Sequence, residues 1–200
     1  TDKVVFNSIS MTGDVDPGVA GATSNFGSGI RLGVASGSSH ANLTLQNNSV
    51  YMDLSSSSTA ATRFYAISGP ANSYSFGTGG ENYNNFYINP ANTQLQTGGL
   101  GTASGNTLTT QFATLANWQA AYTAPQDANS IQSNPNYVSN SSDLHITGAP
   151  NESAGVSVAG VTDDFDGDAR GATPNIGADE ITLAGPGTVQ FSATSYTDSE

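Results

Sequence analysis

The sequence predicts an all-β chain built as a solenoid, and three observations carry that reading. Ser, Thr, Asn and Gly supply 90 of the 200 residues, while hydrophobic residues make up only 36%. That balance alone would suit disorder, yet eight Phe, eight Tyr and one Trp recur at ordered intervals between the polar runs. A solenoid reconciles the two, because its narrow core needs few apolar residues per coil and its turns need many small polar ones. The third observation is a pair of phrases that recur in step along the chain.

The first phrase is Val4 to Met11, VVFNSISM, which alternates apolar and polar residues as a half-buried strand does and is interrupted at Asn7-Ser8. It returns at Leu43 to Met52, LTLQNNSVYM, with Asn47-Asn48 at the interruption, and at Tyr83 to Ile88, YNNFYI, with Asn84-Asn85. Counted from the second polar residue of each pair (8, 48, 85), the spacings are 40 and 37. The second phrase, Gly29-Ile30-Arg31-Leu32 and Tyr65-Ala66-Ile67-Ser68, places Ile30 and Ile67 37 residues apart. Two phrases at nearly one period predict about three coils. Stacked strands lie about 4.8 Å apart, so Asn7 or Ser8, Asn48 and Asn85 would form a hydrogen-bonded ladder at one bend. Phe6, Ile9, Leu45, Val50, Phe86 and Ile88 would then stack inside. The competing arrangement is an antiparallel β-sandwich with Asn-rich hairpins.

Between the phrases, Gly/Ser/Thr tracts such as 14–29, 36–39 and 55–61 read as loops leaving one side of the coil. Arg31 and Arg63 are candidates to pair with Asp53 or Glu81. Leu100 to Thr110 reads as another loop. Phe112, Leu115, Trp118 and Tyr122 then recur at three- and four-residue steps, after Thr109 and Thr110 as candidate N-caps and before Pro125. This spacing predicts a short amphipathic helix whose Trp118 plugs the end of the core. The alternative for Trp118 is stacking on a sugar. Leu144-His145-Ile146 alternates, so His145 is expected to face solvent, and with no second histidine nearby zinc is disfavoured. His40 lies in a polar loop.

The densest chemistry is Val161 to Glu180, VTDDFDGDARGATPNIGADE, with six of the sixteen acidic residues and Arg170, one of four basic ones. Asp164, Asp166 and Asp168 alternate around Gly167, whose freedom at positive φ permits a sharp turn. Oxygens so placed suit calcium, which takes about six to eight of them. They equally suit a metal-free turn in which the carboxylates cap backbone N–H groups and pair with Arg170. The EF-hand pattern is absent, because Asn175 stands where its closing Glu would fall.

The segment DFDGDARGATPNIGADE resembles the closing segment of bacterial secreted right-handed parallel β-helix proteins, D-x-D-G-x-x-R…P-x-I-G-A-x-E, and the likeness extends back to about Thr114. That resemblance implies a right-handed parallel β-helix with a short capping helix and an irregular C-terminal cap over residues 1–180. Three coils would run to residue 90, and the capping region would span 91–180. Gly187 to Glu200, GTVQFSATSYTDSE, resembles the opening strand of a Calx-β domain, so 181–200 would be a linker and first strand that meets a neighbouring domain or subunit. Thr1 follows no signal-peptide pattern and the chain reads as a processed or excised piece.

Four basic against sixteen acidic residues give a net charge of −12. This disfavours nucleic acid, anionic membranes and polyuronates as partners, and nothing suggests membrane insertion. A lyase would need clustered cations for an enolate-like charge, and the four basic residues are scattered. A glycosidase would need two carboxylates about 5–9.5 Å apart in a cleft, whereas the resemblance places the dense carboxylates in a terminal turn. The chain is therefore expected to be non-catalytic: an adhesin-like, extracellular or cell-surface segment presenting loops to glycans or surfaces. A structural spacer or filament subunit, and then a polysaccharide-degrading enzyme, are the alternatives.

Overall fold

The computed structural model describes residues 2–19, 26–33, 43–69, 76–121 and 126–181. Its elements run β1 (Lys3–Val5), β2 (Ser8–Asp14), β3 (Gly27–Arg31), β4 (Leu43–Gln46), β5 (Ser49–Ser55), β6 (Phe64–Gly69), β7 (Phe76–Asn82), β8 (Asn85–Ile88), β9 (Leu95–Ser104), β10 (Thr107–Phe112), α1 (Leu115–Ala120), β11 (Tyr137–Ser139) and β12 (Asp143–Ile146). Each copy of the first phrase marks a polar bend between two strands (β1/β2, β4/β5, β7/β8), and each copy of the second lies on a single strand (β3, β6). The phrases pair in parallel: Ile9 with Val50 and Val50 with Phe86, and Ile30 with Ile67. The antiparallel sandwich is excluded at these strands.

The expected fold class is corrected. The described residues form four small sheets, ordered β1-β4-β7, β2-β5-β8, β10-β9-β6-β3 and β11-β12, and no closed right-handed β-helix is found among them. Two sheets are wholly parallel. In the third, β10 returns antiparallel on β9 through a turn at Gly105, which has φ +61°. The fourth is an antiparallel hairpin. The Gly/Thr run expected as a loop is thus a hairpin arm, and its backbone reversal ends parallel addition on that sheet.

The three larger sheets share one core. Leu45, Val50, Ile67, Phe86 and Trp118 are fully buried within a single cluster. Trp118 lies on β9 at Gly98, where a Cβ would sit 2.1 Å from its ring. Only glycine permits that approach. Helix α1 is shorter than expected and capped by Thr114, whose hydroxyl accepts from Asn117 N–H. Phe112 belongs to β10 instead, edge-on to Trp118 at 5.5 Å between ring centroids. With its whole surface buried, Trp118 offers no face to a sugar. Tyr122, His40 and residues 182–200, with the expected Calx-β-like strand, lie outside the described residues.

The bends hold the ladder through Asn7 and Asn48, as expected, but through Asn84 rather than Asn85. Asn7 Nδ2 donates to Asn48 Oδ1 at 2.8 Å, Asn48 Nδ2 to Asn84 Oδ1 at 3.0 Å, and Asn84 Nδ2 to Asp127 Oδ1 at 3.2 Å. The residue before each asparagine (Phe6, Asn47, Tyr83) is left-handed, with φ of 56°, 56° and 55°. Backbone bonds repeat in step, from Ser49 N to Asn7 O, Asn85 N to Asn48 O and Ile131 N to Asn84 O, at 2.7–2.8 Å. The bends therefore stack as the strands do, and residues 127–131 add a further layer. Arg31 and Arg63 do not make the expected ion pairs: Arg31 sits over the Phe26 ring at 5.2 Å, and Arg63 donates to the carbonyls of Ala60 and Thr62.

Asn48 is fully buried and also donates to the Val4 and Gln46 carbonyls. Asn48→Ala strands these groups and should lower the unfolding free energy by about 1–3 kcal/mol, measured by chemical denaturation. An unchanged midpoint would deny the ladder any stabilising role.

Glu81 is fully buried near Asp127, and its carboxyl is pushed well above the ordinary range, first by burial and then by the Asp127 charge. The folded chain thus holds a proton that the unfolded chain releases near 4.5. The associated stability is fully present below that pH and is lost as pH rises toward the folded value. Burial also raises Asp127, so the two shifts act in the same direction. In paired denaturation curves, Glu81→Gln should match or fall below the parent near pH 4 and exceed it at pH 8. A stability difference independent of pH would refute the buried acid.

Candidate functional site

The hairpin β11–β12 lies on the β2-β5-β8 sheet through Tyr137 and Ile146, which pack with Tyr51. Tyr137 anchors it by donating from its hydroxyl to Ser49 Oγ at 2.7 Å. On β12, Asp143 and His145 are two residues apart and so share one face. The 163–180 turn meets that face.

That turn is held by its own residues. Asp164 Oδ1 accepts from the N–H groups of Asp166 and Asp168, at 2.9 and 2.8 Å, and its Oδ2 accepts from Glu180 N–H at 2.8 Å. Burial opposes ionisation of Asp164, but these N–H groups outweigh it and hold the carboxyl below its usual range. Gly167 takes the expected positive φ, +92°. Arg170 does not pair with the alternating aspartates. It pairs with Glu180 at 2.5 Å, donates to the Gly177 and Ala178 carbonyls, and lies 3.9 Å over the Phe6 ring.

The PNIGADE run is then fastened to the bends. Ile176 is fully buried, Gly177 N–H donates to Asn47 O at 2.8 Å, and Ala178 N–H donates to Ser8 Oγ at 2.9 Å. Asn151 locks the same layer by donating to Ser49 Oγ and accepting from Asn85.

Of the three aspartates read as calcium ligands, the structure therefore assigns Asp164 to the backbone and turns Asp166 toward β12. Asp168 engages Asp164 through its backbone N–H and carbonyl. The group of potential donors that does converge among the described residues is His145, Asp166 and Asp179, with one ligand atom from each within 4.8 Å of the others. His145 Nε2 lies 2.8 Å from Asp166 Oδ2, and Nδ1 lies 2.5 Å from Asp143 Oδ1. Asp143 first and Asp166 second raise the imidazole to about 9. Asp179 is buried, its Oδ2 accepts Ile146 N–H at 2.8 Å, and burial raises its carboxyl.

Beside these groups opens a cleft of about 480 Å³, lined by Ser8, Leu144, Phe165 and Ala178 together with Asp143, His145 and Asp179. Phe165 is 71% exposed, with its ring 5.6 Å from the His145 ring. The chain matches no family model, no curated protein and no solved structure in the comparisons made. The site must be read from its own chemistry.

Asp166 was visible in the sequence as a candidate ligand, whereas His145 was set aside for want of a second histidine and Asp179 was not singled out. Asp143-Leu144-His145 did carry a usable signal, since alternation puts an acid and an imidazole on one face. Their meeting with Asp179 depends on how the turn docks, and no sequence spacing records that.

Proposed function

We propose that the chain is a non-catalytic, glycan-binding segment of a secreted bacterial surface protein, with the Phe165–His145 cleft as its contact site. The observation that carries this reading is Phe165, a large apolar ring left 71% exposed at a mostly apolar cleft edged by a few polar groups. A single exposed aromatic is ordinary, but here it joins Leu144 and Ala178 in one concave apolar surface with a few polar groups beside it, the usual composition of a small-ligand site. A pyranose supplies the complement: an apolar C–H face for the ring and hydroxyl groups for Asp143 and Ser142, both at the cleft wall. The net charge of −12 favours neutral sugars over uronates.

The resemblance of the 164–180 segment to secreted bacterial proteins supports the setting. The residues that carry that resemblance do structural duty here, through Arg170, Ile176 and Glu180, which agrees with a scaffold carrying its contacts on an adjoining face. No helix among the described residues is long and apolar enough to cross a membrane.

A neutral-glycan array, probed with the parent chain and with Phe165→Ala, tests the proposal. Specific binding should appear and weaken at least tenfold in the variant, whose exposed position leaves the fold intact. Silence across the array would leave a structural spacer. Release of new reducing ends would instead make Asp166 and Asp179 a hydrolytic pair.

A further inference from the structure

We propose that His145, Asp166 and Asp179 form a zinc site that fastens the 163–180 turn to β12. The inference stands apart from glycan binding, since it concerns the cation these donors would take and not what the cleft contacts.

The donor set is one imidazole nitrogen and two carboxylate oxygens, mutually within 4.8 Å. Zinc takes such donors at about 2.0–2.2 Å, which places two donors on a tetrahedral ion roughly 3.4 Å apart. The closest pair, His145 Nε2 and Asp166 Oδ2, is already at 2.8 Å. His145 and Asp166 are both partly exposed, with 43% of each side chain open, so both can rotate the remaining ångström.

Two contacts outside the triad have the form of the outer support that metal ligands use. Histidine ligands present one ring nitrogen to the ion while the other is held by a carboxylate, which fixes ring and tautomer. Asp143 sits on Nδ1 in this way and leaves Nε2 aimed at Asp166. Ile146 N–H holds one oxygen of Asp179 at 2.8 Å. The ion would replace the proton shared between Nε2 and Asp166, and its fourth position would open on the cleft.

The donor chemistry also selects the ion. Calcium asks for six to eight oxygens, whereas an imidazole with two carboxylates suits a borderline cation such as zinc. The sequence had pointed the other way, to calcium on Asp164, Asp166 and Asp168, but Asp164 spends both oxygens on backbone N–H groups.

The test is calorimetric titration of chelator-treated full chain with zinc chloride, and separately with calcium chloride, alongside thermal melting. One zinc should bind per chain and raise the melting midpoint. His145→Gln and Asp166→Asn should each weaken zinc at least tenfold and lose the shift, while melting as the parent does in chelator. His40→Gln, which alters the other histidine, should bind as the parent does. No stoichiometric zinc binding, zinc binding that survives both substitutions, or tighter binding of calcium than zinc would each overturn the proposal.

Discussion

The structure depends on a row of amides, exposed at Asn7 and fully buried at Asn48 and Asn84, that all donate in one direction. Asn7 gives to Asn48, Asn48 to Asn84, and Asn84 to Asp127. Asp127 accepts at the end of the row and also takes the Trp118 indole N–H at 2.9 Å and the Ser130 hydroxyl at 2.5 Å. An acceptor-only carboxylate terminates a donor chain without leaving an amide hydrogen unsatisfied. The same residue thus closes the ladder and fixes the indole over Gly98. Buried polar groups specify one arrangement when every member is satisfied, because any slip strands several at once. Parallel strands with small side chains need such a device, since their apolar contacts alone tolerate slippage.

The closing segment uses the other side of those bends. Phe6, at positive φ, puts its ring beneath Arg170, and Asn47, at the next bend, accepts from Gly177 N–H and exchanges hydrogen bonds with Val156. Arg170, almost fully buried at its side chain, is balanced by Glu180 and two carbonyls. A charge so placed is tolerated only with its partners in position. This constraint fixes the 163–180 turn against β12 and brings Asp166 and Asp179 to His145. The candidate site is a consequence of how the end of the chain is tied down.

Much of the strand arrangement was legible in the sequence, and particular residues show why the rest was not. Ile9, Val50 and Phe86 align because an alternating phrase preserves which face is buried. The third bend was read one residue late, at Asn85 instead of Asn84: nothing in Tyr83 announces a left-handed conformation, which bulky residues seldom adopt. Leu100 to Thr110 was read as a loop because a Gly/Asn step suits a loop or a hairpin alike, and there it makes a hairpin at Gly105. Trp118 was legible as a core plug because it is the lone indole on a helical apolar stripe, but its partner Asp127 was hidden in a polar run. At the site, Asp164 and Asp166 look equivalent by spacing. Docking alone separates the one that caps backbone from the one that meets an imidazole.

The central claim is that the asparagines act as one cooperative row, and a double-mutant cycle on Asn48 and Asn84 tests it most directly. Asn84 Oδ1 accepts from both the side-chain amide and the backbone N–H of Asn48, each at 3.0 Å. Asn48→Ala, Asn84→Ala and the double variant would be compared by chemical denaturation. The account predicts that the double variant loses less than the sum of the single losses, with a coupling of about 0.5–3 kcal/mol for groups in one network. Strict additivity would mean that each asparagine only ties its own bend, and would contradict the ladder as the element that sets the strands in register.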